Sequence, residues 1–168
     1  MKLIKQSVEL IPQNDLFEHI ERCTRVCYKS EYKQSENSEE FVNKLIANKH
    51  LAMLEHGTIY LKIPITTNHS GFSEIHYINN PYSIVTETEG LSQRDEFGNR
   101  CDCWCITTNY RVIKENRWED DLEYLCEPTE YHEKRYTVKI ITSVGIVREL
   151  LRHRKFSFAN ESTRQWRH

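Results

Sequence analysis

Residues Arg152 to Arg164 read Arg-His-Arg-Lys-Phe-Ser-Phe-Ala-Asn-Glu-Ser-Thr-Arg. Thirteen positions hold four cations, an imidazole, three hydroxyls, an amide and a carboxylate. Guanidinium forks and hydroxyls hold phosphate through charge-assisted, often bidentate hydrogen bonds. Asn160 and Glu161 add groups that read the amides or hydroxyls of a base or ribose. By composition alone the same run describes a charged helix end facing water. A second cluster is Cys101, Cys103 and Cys105. Alternate positions on a strand turn their three thiols to one face, which suits a zinc site or a buried surface, and the sequence offers no evident fourth ligand.

The order of the residues adds what composition lacks. Arg152-His153-Arg154, seven residues, Ser162, and then Arg164 two places on resembles the signature of the flavin-dependent thymidylate synthases, the ThyX family. The preceding run from Val144 to Leu151 resembles the helix that leads into that signature. Upstream, His50-Leu51-Ala52-Met53-Leu54-Glu55-His56-Gly57 resembles the family's histidine segment, which ends in Glu-His and enters a strand. Taken alone, His50 and His56 equally fit two half-exposed imidazoles at a helix–strand junction. Arg25-Val26-Cys27-Tyr28-Lys29-Ser30 resembles the end of the family's first helix, where a small residue approaches the flavin. Cys27 holds that small-residue position, which also suits a core cysteine.

The resemblance spans residues 1–64 and about 135–165. It implies a single ThyX-like catalytic domain over residues 1–168, with 65–134 an insertion relative to the shortest members. The family continues well beyond its counterpart of Arg164, including an arginine that serves the uracil. A chain lacking that part is expected to bind ligand and turn over slowly.

The resemblance implies FAD as cofactor, with NADPH and methylenetetrahydrofolate as co-substrates, in the reductive methylation of dUMP to dTMP. Carried over position by position, His50, Glu55, Arg152, His153, Arg154 and Asn160 bind the cofactor. Glu161, Ser162 and Arg164 bind the nucleotide. Many members place the Asn-Glu pair one residue earlier, so the division of roles among Ala159, Asn160 and Glu161 stays open. Glu149, one turn before His153, is placed to orient the imidazole. No catalytic nucleophile is implied, and no cysteine here lies in a family motif beside an activating neighbour. The cofactors carry the chemistry, and the protein supplies binding and orientation. The implied fold is α/β, or α+β, a twisted sheet flanked by helices. The implied assembly is a cytoplasmic homotetramer with shared active sites. The alternative is a truncated, non-catalytic flavin- or nucleotide-binding module. An RNA-binding reading, with Phe156, Phe158 and Trp166 as stacking surfaces, meets a net charge of −2 and no wider basic face.

These residues need elements to position them. Residues 2–11 read as a strand, and 15–28 as an amphipathic helix burying Leu16, Phe17, Ile20, Cys23 and Cys27 with Asn14 as its cap. Ser38 is the candidate cap of a second helix that buries Phe41, Val42, Leu45 and Ile46 and ends near Lys49. Thr58 to Ile63 alternates as a strand does, and Pro64 stops it. Short strands are expected near 74–78, 83–87 and 102–107, and a helix over 109–126. Tyr136 to Ile141 is β-like. Ser143 caps a helix reaching about His153, with Val144, Val147, Leu150 and Leu151 as its buried stripe.

Size and composition bound the rest. A chain of 168 residues has room for one compact domain that buries about 70% of its unfolded surface. Hydrophobic residues at 38% supply a core, and charged residues at 29% a solvated surface. With net charge −2, no whole-molecule field draws nucleic acid or acidic lipid. No apolar run approaches the roughly 20 residues that cross a bilayer. Six cysteines in a chain with no secretory signal read as reduced thiols, with Cys23 and Cys27 as small buried hydrophobes.

Overall fold

The structure, a computed structural model, describes residues 5–30, 33, 35–65, 75–94 and 100–161. It is an α+β protein of helices and antiparallel sheets. The chain divides into two compact units, Met1–Gly57 with Tyr136–His168, and Thr58–Arg135. Residues 65–134, expected as an insertion, fall in the second. No helix among the described residues is long and apolar enough to cross a membrane.

In the first unit, strand β1 (Ser7–Ile11) pairs antiparallel with β5 (Thr137–Ile141), the outermost partners being Ser7 with Ile141 and Ile11 with Thr137. Helix α1 (Leu16–Val26) starts at Asp15, one residue after the expected cap, because the Asp15 carboxylate accepts the Glu18 N–H at 2.9 Å. Helix α2 (Ser38–Ala47) likewise starts one residue before Ser38, with the Asn37 side chain accepting from the Glu40 N–H. An amide or carboxylate one position outside the helix reaches that N–H directly. Ile11, Ile20, Cys23, Val42 and Leu54 are buried.

Two polar groups inside this unit fix the packing of α1. His19 is buried, bonds Thr137 Oγ1 of β5 at 2.9 Å, and reaches the Pro12 backbone. Glu21, wholly buried, accepts from Ser35 N–H at 2.9 Å, Ser35 Oγ at 2.6 Å and Arg25 Nε at 2.6 Å. Burial by itself would raise its carboxyl. The hydrogen bonds from Ser35, Ser38 and Arg25 win and hold it down at about 2.

Helix α4 (Val144–Leu150) departs from expectation. It is shorter, Ser143 makes no side-chain cap bond, and none of its residues is buried. Val144 is 54% exposed and Leu151 41%, so the expected stripe is not a core stripe of this chain. The ribbon shows the same thing. Val8 faces Ile140 and Leu10 faces Val138 across the strands, and all four are exposed.

In the second unit the sheet order is β2 (Thr58–Pro64), β4 (Arg100–Asn109), β3 (Ile84–Arg94), all antiparallel. Ile59 and Leu61 of β2 and Ile106 of β4, which pairs with Leu61, are buried on one face of the sheet, and Cys103 and Cys105 of β4 are buried on the other. Residues His76–Asn79, expected near a strand, form a 3-10 turn after Ile75. The helix expected over 109–126 is two pieces, α3 (Tyr110–Asn116) and a 3-10 turn Glu119–Tyr124. Arg117 breaks it by taking a left-handed conformation (φ 61°), so that the Trp118 N–H bonds Ile113 O. Buried His132 is fixed by Thr129, whose backbone N–H donates to Nδ1 at 3.0 Å, leaving Nε2–H for the Leu61 carbonyl.

Candidate functional site

The stretches 25–30, 50–57 and 152–161 of the first unit are far apart in sequence and adjacent in the fold. After α4 the chain turns at Leu151 and runs through residues 157–161 without regular secondary structure. Four contacts lay that piece along the other two stretches. The Ser157 hydroxyl donates to Glu55 Oε2 at 2.7 Å. The Phe158 carbonyl lies near the His56 ring and favours its protonated form. The Asn160 backbone N–H reaches the Cys27 sulfur. Glu161 forms an ion pair with Lys29.

Local sequence explains why these partners stand where they do. Lys29 follows α1 in a left-handed conformation (φ 51°), and the Ser30 N–H closes back on Arg25 O. That stop brings Cys27 and Lys29 to the end of the helix. Lys49 (φ 58°) ends α2 in the same way, with its N–H on Ile46 O and the His50 N–H on Leu45 O. The 3-10 turn Leu51–His56 follows at once and carries Glu55 and His56. Gly57 then lets α1 come close, since a Cβ there would meet Ile20 and Leu16 side-chain carbons at 2.7 Å.

The electrostatics divide this site into an inner and an outer part. His56 is held neutral, first by burial and then by neighbouring His19, against the opposing pull of Glu55 and the Phe158 carbonyl. The Cys27 thiol is pushed up by burial and lies 4.0 Å from Met53 Sδ, so it stays protonated and is a poor nucleophile. The outer part is cationic. Arg152, His153 and Arg154 are all exposed just past α4. Arg152 Nη1 bonds Glu149 Oε2 at 2.9 Å. Glu149, expected to orient His153, therefore holds Arg152, whose guanidinium lies closer along the helix. The His153 ring meets Phe156 edge-on at 6.1 Å.

Of the expected site residues, Glu55, Asn160 and Glu161 come together. Arg152, His153 and Arg154 stand on the same unit at the start of that segment. His50 is exposed at the start of the turn, six residues before His56. Ser162 and Arg164 lie outside the described residues. Ser157, His56 and Lys29 also take part, and sequence reading gave none of them a role. Ser157 lay within the thirteen-residue run as one of its three hydroxyls, and that was the available signal.

The cysteine cluster is different in character. Cys103 and Cys105 are buried, Cys103 N–H bonds Thr88 Oγ1, and Cys105 Sγ lies 4.0 Å from Thr129 Oγ1. The Cys101 side chain lies outside the described residues. Among the described residues no group of three or more His, Cys, Asp or Glu side chains is arranged to hold a metal ion. Comparison of the chain with protein-family models, curated proteins and solved structures found no match.

Proposed function

We propose that the chain is a flavin-dependent thymidylate synthase, methylating dUMP to dTMP with the carbon of methylenetetrahydrofolate and the electrons of NADPH. One observation supports this above the others. The three stretches 25–30, 50–57 and 152–161, picked out for resembling three parts of one family, meet in one unit through four specific contacts. Segments chosen on unrelated grounds have no reason to converge.

FAD, when bound, supplies hydride transfer and carries the electrons. The residues present suit it. Its pyrophosphate is a doubly anionic group, and Arg152 and Arg154 offer guanidinium forks at an open helix end. Glu55, bonded by Ser157, supplies the carboxylate that would meet a nucleotide or flavin N–H in this reading. Asn160, whose backbone N–H reaches Cys27, is exposed. Ser162 and Arg164 hold the dUMP phosphate in this reading. No thiolate is asked for, in keeping with the raised Cys27 thiol.

The proposed assembly is a cytoplasmic homotetramer. A two-stranded ribbon is marginal on its own, and the apolar face Val8, Leu10, Val138 and Ile140 lies exposed, with exposed Ile146 near Val8 and Ile140. A second copy is the cover this reading supplies. The test is flavin fluorescence titration followed by tritium release from 5-tritiated dUMP with NADPH and methylenetetrahydrofolate. Saturable binding with release supports the synthase. Binding without release assigns the chain to the non-catalytic flavin or nucleotide module, and the absence of both binding and release overturns the reading.

A further inference from the structure

In the second unit, Tyr60 of β2, Thr107 of β4 and Ile84 of β3 form one row across the sheet. Residues directly opposite one another share a face. Thr107 stands at the centre of the row, wholly buried, and its Oγ1 has no hydrogen-bond partner. A buried hydroxyl left unmet costs free energy that a valine of the same shape would not.

Arg135 reaches across the same strands. Its backbone N–H donates to the Tyr60 hydroxyl at 3.1 Å, and its Nη2 donates to the Tyr82 carbonyl, just before β3, at 2.9 Å. The residue therefore spans β4, which lies between β2 and β3. Burial draws its pKa below the usual arginine value, and the charge of Glu133 opposes that without forming an ion pair. A cation withdrawn from water ordinarily meets a counter-charge, and Arg135 meets none among the described residues. Tyr60 accepts from Arg135 and keeps its own proton to donate. Lys62, two residues along β2 and so on the same face, adds a second positive charge near Cys105 and His132.

We propose that Arg135, Tyr60 and Thr107 form a binding site for a small oxyanion, a carboxylate or a phosphate group. The guanidinium has one N–H engaged by Tyr82, and its others offer the planar fork that two anionic oxygens fit. The phenol proton and the unmet Thr107 hydroxyl are the further donors. None of the three residues serves the flavin or nucleotide in the reading above, so this site does not rest on it.

The experiment follows the thermal unfolding midpoint of the whole chain against sodium phosphate and against sodium acetate, with ionic strength held constant by sodium chloride. A ligand that binds the folded chain raises the midpoint, and the titration gives its affinity. The parent is compared with Arg135→Gln, Tyr60→Phe and Thr107→Val. Arg164→Ala removes a phosphate contact proposed for the nucleotide. The expected result is a saturable rise in the parent and in Arg164→Ala, and the anion acting at lower concentration names the group. Affinity should fall roughly ten- to a hundredfold in Arg135→Gln and about five- to tenfold in the other two. Thr107→Val should also raise the midpoint without added anion, since its hydroxyl is unmet in the free chain. If Arg135→Gln does not fold, Thr107→Val and Tyr60→Phe carry the comparison. A flat midpoint with both anions, equal responses in the parent and the three variants, or a response lost in Arg164→Ala alone overturns the proposal. If the chain takes up no FAD while Arg135→Gln still weakens the anion response, the oxyanion site stands and the flavin reading falls.

Discussion

The Ser157 hydroxyl and the Glu55 carboxylate meet at 2.7 Å, although 102 positions separate them in sequence. That bond fastens the end of the cationic run to the turn carrying His56. Its strength is measurable by a double-mutant cycle of Glu55→Ala and Ser157→Ala in urea denaturation. Because the pair is solvent-exposed, a coupling of about 0.5–1 kcal/mol is expected. Strictly additive losses would mean that the two side chains do not hold each other in solution.

Glu21 predicts an acid-sensitive α1. Its folded carboxyl lies at about 2, below the 4.5 of an unperturbed glutamate. The group therefore adds stability that is complete above about 4.5 and is lost as pH falls toward 2. Glu21→Gln should cost on the order of 3 kcal/mol at pH 7 and flatten the pH dependence over that window. A parent and variant with parallel stability profiles between pH 5 and 2 would contradict the assignment.

The left-handed stops of α2 and α3 predict the opposite sign. Lys49 and Arg117 occupy positive φ, where a side chain is strained and glycine is not. Lys49→Gly and Arg117→Gly should each raise stability by up to about 1 kcal/mol, seen as a higher midpoint in thermal unfolding. A fall in midpoint for both would show that their side chains contribute more than the backbone strain costs.

Much of this was legible in the sequence. The 3.6-residue spacing of Leu16, Ile20 and Cys23 and the alternation of Thr58 to Ile63 follow directly from burial on one face, and both elements are present. What escaped reading was set by single backbone choices. Nothing in Arg117 announces a left-handed residue, since glycine usually marks that stop, so one helix was read where two pieces stand. The α4 stripe has true helical spacing, yet spacing says which residues share a face and not whether this chain covers that face. The motif supplied Glu55, Asn160 and Glu161 by order of residues. It could not supply His56 or Lys29, whose roles come from the contacts they make with a segment about a hundred residues later.

Nucleotide recognition is proposed for positions Ser162 and Arg164. Replacing either by Ala should weaken dUMP binding roughly ten- to a hundredfold, the worth of one charge-assisted hydrogen bond, and FAD binding much less. Calorimetry with each ligand separates the two. Equal loss for both ligands, or none for either, would remove the phosphate role.

Flavin binding by the run from Arg152 to Arg154 decides the proposed function most directly. The measurement is fluorescence titration of FAD with the purified chain, beside Arg152→Ala and Arg154→Ala. The prediction is saturable quenching by the parent and affinity about tenfold or more weaker in each variant, whose fold should be unchanged because both side chains are exposed. Absence of quenching by the parent, or identical titrations for all three proteins, would contradict the flavin assignment.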